Sequence, residues 1–316
     1  MKSNKLYVPI RTLFTKSFGR LDFLNLFLLI PLRKMLTKRS HKHLREGRQA
    51  LVIQAFDYVS NEISVDGLYE KKALETFFSW VTYLNIKTTK TIAIDIGANI
   101  GNHSLYFSNY YHKVISFEPN VRTYKILSLN SELVSNIDCF NLGLSDQDKS
   151  AVLGVSKSNK GGAHILAKGL KDNSDETVNI ELKKLDTLLP NLENVGLIKI
   201  DVEGHELQAL KGAESTIKKN MPVLMFEQHR EDFNQGGLGG SPVLTLLGDY
   251  GYKNFAVLEK SPRVSGNFFI RCIVLPLLVI VLGDKTRIQL MKDIKPGFYE
   301  FIVALPDWFP LTKKQP

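Results

Sequence analysis

A chain of 316 residues with 44% hydrophobic and 23% charged content has the length of one large domain and the composition of a globular protein, which excludes a disordered or fibrous chain. Its two cysteines, Cys139 and Cys272, make neither a disulfide framework nor a zinc ligand set, and so fit a reducing cytosol. The formal charge of +9 is concentrated in residues 1–48, where twelve Lys and Arg face Asp22 and Glu46, so the remainder sums to −1: a near-neutral domain with a basic arm.

Residues 1–66 read as that basic, partly apolar extension, and 67–316 as the main domain. The arm contains LDFLNLFLLIPL (21–32) between Arg20 and Arg33-Lys34. Nucleic-acid arms seldom carry such a run, whereas membrane-surface segments do, each nearby Lys or Arg adding roughly 1 kcal/mol toward an anionic leaflet. Twelve helical residues span about 18 Å, short of the roughly 30 Å hydrocarbon core. The run therefore predicts peripheral contact on the inner face of the cytoplasmic membrane. The alternative is an amphipathic helix packed on its own domain.

Leu68, Leu74, Phe77, Phe78, Val81 and Leu84 recur at helical spacing over 68–86. Apolar strands then alternate with helical stretches: TIAIDIG (91–97), KVISFEP (113–119), NIDCFNLGLSD (136–146), GLIKIDVEG (196–204) and PVLMFEQ (222–228). Strands apolar on both faces predict a doubly wound α/β fold with a covered parallel sheet. About fifty residues, 150–190, separate the third and fourth strands and include KGGAHIL (160–166) and a strand, TVNIELKKLDTLL (177–189). This is long for one connection and predicts a substrate-facing insertion. NQGGLGG (234–240) is a loop, and Ser241-Pro242 starts a helix. NFAVLE (254–259) and YEFIVAL (299–305) are two final strands. An apolar insertion (about 266–295) between them holds IRCIVLPLLVIVL (270–282), too short to span, and then a charged, helix-like stretch.

The strongest chemical signal is AIDIGANIGNHSL (93–105) with Glu118 closing the next strand. A glycine turn lets backbone approach a ligand, and the helix beyond offers unpaired amides. Glu118, 21 positions after Gly97, can accept two hydrogen bonds from ribose hydroxyls. A nicotinamide fingerprint needs G-x-G-x-x-G, and Asn99 and Asn102 hold its second and third glycine positions. A nicotinamide oxidoreductase is thus disfavoured, and a phosphate loop fails for want of a glycine-lysine pair.

DIGANIG (95–101), FEPN (117–120), LSD (144–146) and IKIDVEGHE (198–206) together resemble the motifs of FkbM-like methyltransferases, in the same order, over about residues 90–230. The resemblance implies a Rossmann-like, seven-stranded methyltransferase sheet and S-adenosylmethionine as cofactor. By it, Asp95, Gly97, Ala98 and Asn99 line the methionine end beside Gly101, Glu118 holds the ribose, and Ser145 with Asp146 flanks the adenine. Asp201 sits between cofactor and acceptor. It also implies O-methylation of hydroxyls on polyketides, glycans or glycolipids. The two apolar segments tilt the acceptor toward a lipid-linked or envelope glycan. An inactive membrane-binding module on the same fold is the other class, but none of the four motifs is damaged.

A sugar-like hydroxyl is a weak acid and needs a base. His41 and His43 belong to the arm, His112 to a loop and His103 to the motif's helix, leaving His164, His205 and His229. Ligands bind at the carboxyl ends of strands, which favours His229 or Asp201 as base with Glu227 in support. Glu203 and Glu206 fall in a first helical turn, where acids are favoured in any protein. No pair shows metal-ligand spacing, and the sequence predicts no metal.

Overall fold

The computed structural model describes residues 20–155, 163–166, 176–230, 240–261, 285–291 and 294–311, with a few isolated positions between. An eight-stranded sheet forms the centre. Strands β1 (Ile92–Ile96), β2 (Lys113–Phe117), β3 (Ile137–Phe140), β8 (Val195–Ile200) and β9 (Val223–Gln228) run parallel in the order β3-β2-β1-β8-β9. β12 (Tyr299–Leu305) joins β9 antiparallel, β10 (Asn254–Ser261) joins β12, and β11 (Lys285–Met291) closes the edge. The seven strands that the resemblance implies are all here, and β11 adds an eighth.

That eighth strand corrects one expectation. The charged stretch after residue 282 is not helical. Thr286, Ile288 and Leu290 alternate with polar Arg287 and Gln289, and buried Ile288 packs with the helix α3 (Lys71–Tyr83), so period two wins over charge content. A second correction concerns 136–146, which is two strands rather than one. The Asn141 amide donates to the carbonyls of Glu118 and Pro119, the chain turns there, and β4 (Gly143–Leu144) enters a different sheet.

The covered parallel sheet follows from strict alternation along each strand. Ile94, Ile96, Ile198, Ile200, Leu224 and Phe226 face one cluster, with helices α7 (Glu206–Gly212), α8 (Glu214–Asn220) and α9 (Pro242–Asp249). Ala93, Leu197, Val223 and Met225 face the other, with α3 and α4 (Asn102–Ser108), where Phe77, Phe78, Trp80 and Phe107 pack. Burying each such side chain contributes about 1.5–3 kcal/mol, so neither face is dispensable.

The connection after β3 builds a small sheet, β4-β7-β5-β6, from β4, β5 (Lys149–Val155), β6 (His164–Ile165) and β7 (Glu176–Lys183). Residues 156–162, 167–175 and 234–239, and most of 270–282, lie outside the described residues.

The arm is a 26-residue helix, α1 (Arg20–Arg45), followed by α2 (Tyr58–Asp66). Its basic end docks on α2, with Arg39 donating to the Val65 carbonyl and His43 beside the same carbonyl. The apolar part stays in water: Phe27 is 71% and Ile30 55% exposed. Among the described residues no helix is long and apolar enough to cross a membrane. Past α1, the Asn130 side chain bonds both backbone groups of Val52, and Val59 and Ile63 pack on Ile100, so residues 52–66 sit against the sheet's carboxyl end.

Candidate active site

Connections leave β1 and β8 in opposite directions, so the strand order reverses between them and a crevice opens at their carboxyl ends. A cavity of about 370 Å³ occupies it, within the range of small-molecule sites.

The floor is built by the turn after β1. The amides of Gly97 and Ala98 both donate to the Phe117 carbonyl, at 3.0 and 2.9 Å, folding the turn over the end of β2. Gly97 has φ +77°, and a Cβ there would stand 1.9 Å from the Asp201 carbonyl oxygen, so only glycine lets the turn touch the end of β8. Asn99, with φ +50°, points its amide at Glu118 Oε2 (3.1 Å), while the Asn120 amide holds Oε1 at 2.8 Å. Glu118 is thereby fixed at the cavity wall. Burial pushes its pKa up to about 7, opposed by those two amides.

Asn102 explains why a third glycine is missing. Its side chain accepts from the Tyr69 amide and donates to the Tyr69 carbonyl, tying the α2–α3 connection to the motif. That connection brings in Tyr69 and Glu70, which line the cavity with Tyr58. Glu70 Oε2 is 3.0 Å from His103 Nε2. Burial, then the charges of Glu70 and Asp201, holds the Tyr69 phenol above its ordinary range.

Beneath the floor lies Lys199, 1% exposed near the end of the apolar strand β8. Its Nζ is 3.4 Å from Asp95 Oδ1 and 3.2 Å from Asp201 Oδ2, and donates to the Gly97 carbonyl at 3.1 Å. Burial alone would lower the lysine, but Asp201 and Asp95 outweigh it and hold it above the usual range. Asp95, fully buried, also accepts from Ser104 Oγ at 2.6 Å, and Ser104 in turn accepts from Ser116.

The candidate residues from the sequence divide by position. Gly97, Ala98, Asn99, Glu118, Asp201, Glu227 and His229 line the cavity. Asp95 lies beneath it and Gly101 begins α4 behind it. Ser145 is fully buried and donates to Asp146, and His205 Nε2 lies 3.0 Å from Ser145 Oγ, so His205 stands between that pair and the cavity. Burial, then Lys149, lowers the His205 imidazole.

At the far end His229 Nε2 lies 3.6 Å from Glu227 Oε1. Burial, then Asp201 and Glu203, pushes Glu227 up to about 8; burial, then Asp201, pushes Glu203 up to about 7. Glu206 is committed elsewhere, accepting from the Val202 and Gly204 amides. The small sheet contributes Leu153, Ala163, Ile165 and Leu182, and β12 with its approach contributes Phe298, Glu300 and Phe301. Lys199, Tyr69, Glu70 and Glu203 are thus site residues beyond those assigned from the sequence. Lys199 alone carries a local signal, as a charge inside a strand buried on both faces.

The "Methyltransferase FkbM domain" family model matches residues 95–253. The chain is similar to methyltransferase sdnD of Sordaria araneosa, 31% identical over 154 residues, covering 38% of this chain and 60% of that protein. It is similar to hexuronic acid methyltransferase AglP of Haloferax volcanii, 30% identical over 127 residues, covering 39% of this chain and 50% of that protein. The chain thus spans only about half to three fifths of these relatives' length. A crystal structure of an FkbM methyltransferase from Methylobacillus flagellatus aligns with a TM-score of 0.34 at 17% identity, covering 68% of this chain and 54% of that one.

Proposed function

This chain belongs to the FkbM methyltransferase family, and on that premise we propose that it transfers a methyl group from S-adenosylmethionine to a hydroxyl of a glycan, glycolipid or related envelope metabolite. One observation carries the reading. A single cavity runs from a fixed, buried acid, Glu118, to a cluster of proton-accepting groups at Asp201, Glu227 and His229, so donor and acceptor share one space.

The residues present suit the cofactor. The Gly97 turn presents bare backbone on the cavity floor, and Glu118 keeps lone pairs free for a pair of hydroxyls after accepting its two amides. The acids Asp201 and Glu70 make this end suited to a ligand of positive charge. When bound, S-adenosylmethionine supplies a methyl group already activated by a sulfonium. Asp95 acts through Lys199, and Ser145 and Asp146 act through His205, so these positions orient rather than touch.

What remains for the chain is to align the acceptor hydroxyl and remove its proton. Positioning contributes roughly 7–11 kcal/mol and a base about 10²–10⁴-fold. Asp201, 30% exposed in its side chain, and His229, 40% exposed, are the two groups placed to take that proton. A sugar acceptor is supported by AglP, whose name specifies a hexuronic acid. Peripheral contact with an anionic membrane from the cytoplasmic side is supported by the exposed apolar residues of α1 beside Arg33, Lys34, Lys38 and Lys42.

Calorimetric titration with S-adenosylmethionine and with a nicotinamide dinucleotide tests the reading. The first binds and the second does not. Replacing Glu118 by Ala removes charge-assisted bonds worth roughly 1.5–3 kcal/mol each, so affinity falls at least about tenfold while the fold survives. Unchanged affinity in that variant would remove Glu118 from the site.

A further inference from the structure

The sequence gives no hint of a metal site, because its candidate ligands come from two separate strand ends. The fold brings them together. One carboxylate oxygen of Glu203, one of Glu227 and a ring nitrogen of His229 all lie within 4.8 Å of one another, on the cavity wall. Glu203 follows β8, Glu227 lies in the end of β9 and His229 just follows it, so two neighbouring strand ends bring the three together.

The surrounding charges are unbalanced. Lys199 is held by Asp95, Asp201 and the Gly97 carbonyl, so it is committed to the floor. Asp201 lines the same cavity, and its charge and that of Glu206 act on both Glu203 and Glu227, so the region is negative. Two carboxylates and an imidazole are a mixed oxygen-nitrogen donor set of the kind that divalent first-row ions take. Donors about 2.1 Å from one octahedral ion stand about 3 Å apart when adjacent and about 4.2 Å when opposite. The 4.8 Å spacing closes to this range by rotation about the glutamate side-chain bonds.

We propose that Glu203, Glu227 and His229 form a divalent-cation site at the acceptor end of the cavity, with coordination positions left open toward the acceptor's oxygens. The assignment rests on the reading of that end as the acceptor's. A cation there holds two neighbouring oxygens of a sugar, or a hydroxyl and a carboxylate, and makes the bound hydroxyl more acidic. It also chooses between the two candidate bases. His229 spends its nitrogen on the ion, and the hydroxyl proton passes to the Asp201 carboxylate.

The test needs neither cofactor nor acceptor. Purified full-length protein is titrated with Mn²⁺ and the free-ion paramagnetic resonance signal is followed. Saturable uptake of about one ion per chain is expected. Glu203→Gln and Glu227→Gln each weaken it about tenfold or more, while Glu118→Gln, on the cofactor side, leaves it unchanged. Neutral glutamines relieve repulsion, so both variants should melt at or above the parent temperature, which separates lost binding from lost fold. No saturable uptake, or uptake indifferent to both substitutions, overturns the site. Normal Mn²⁺ uptake by a protein that takes up no S-adenosylmethionine keeps the site and removes the methyltransferase reading instead.

Discussion

Two regions of this molecule invert the ordinary division between an apolar inside and a polar outside, and they do so in opposite ways. Beneath the active-site floor, Asp95 and Lys199 are almost completely buried. Along α1, Phe27, Leu28, Ile30 and Met35 stand in water. The buried charges answer one another within the chain: a lysine between two aspartates, a serine pair behind one of them and a backbone carbonyl above. The exposed side chains have no such answer among the described residues. The first inversion is self-contained, and the second leaves apolar surface uncovered among the described residues.

The contrast is sharpest in what substitution should do. Replacing Lys199 with Met, close to it in length, leaves the buried Asp95 and the half-buried Asp201 facing each other without a cation. Removing one partner of a buried ion pair costs about 3–5 kcal/mol, so chemical denaturation should show a loss of that size. A loss below about 1 kcal/mol would mean that water or protonation replaces the lysine with ease.

Replacing His229 with Ala sits in the middle of the scale. Turnover should fall about 10²-fold, about 2.7 kcal/mol, while affinity for S-adenosylmethionine stays put. Near-normal turnover would exclude His229 both as base and as a needed cation ligand. The smallest effect on stability belongs to α1. Phe27→Asp with Ile30→Asp should shift unfolding by no more than about 0.5 kcal/mol, as expected of exposed positions. The same pair should abolish most binding to anionic vesicles in a co-sedimentation assay. A large stability loss there would make α1 an internal packing element and erase the contrast.

How much of this is legible in the sequence depends on how local each cause is. The sheet is legible because burial on both faces writes itself into every strand, and Glu118 because a strand end fixes its distance from Gly97. β11 is not, since its period of two is short and crowded with charges. Nor is the break at Asn141, where one side-chain amide turns the chain. Tyr69 and Glu70 reach the cavity only because Asn102 grips the backbone beside them, thirty-three residues away. Glu203 reads as an ordinary first-turn acid until β9 delivers Glu227 and His229 beside it. The arm's first nineteen residues and the apolar 270–282 segment fall mostly outside the described residues, so their expected membrane contact stays with the vesicle assay.

The close approach of Gly97 to the Asp201 carbonyl makes the turn after β1 and the end of β8 a single joint, with no slack to absorb a side chain. Displacement on either side of that joint is transmitted to the other. Changes that re-aim β8 to suit a new acceptor would therefore also disturb the grip on the methyl donor. Room to alter acceptor choice lies instead in parts mounted off the joint: the small sheet's Leu153, Ala163 and Ile165 on one flank, and Phe298 and Glu300 on the other. Laboratory evolution toward new acceptors should accumulate its substitutions on those two flanks and leave the shared hinge of the reaction alone.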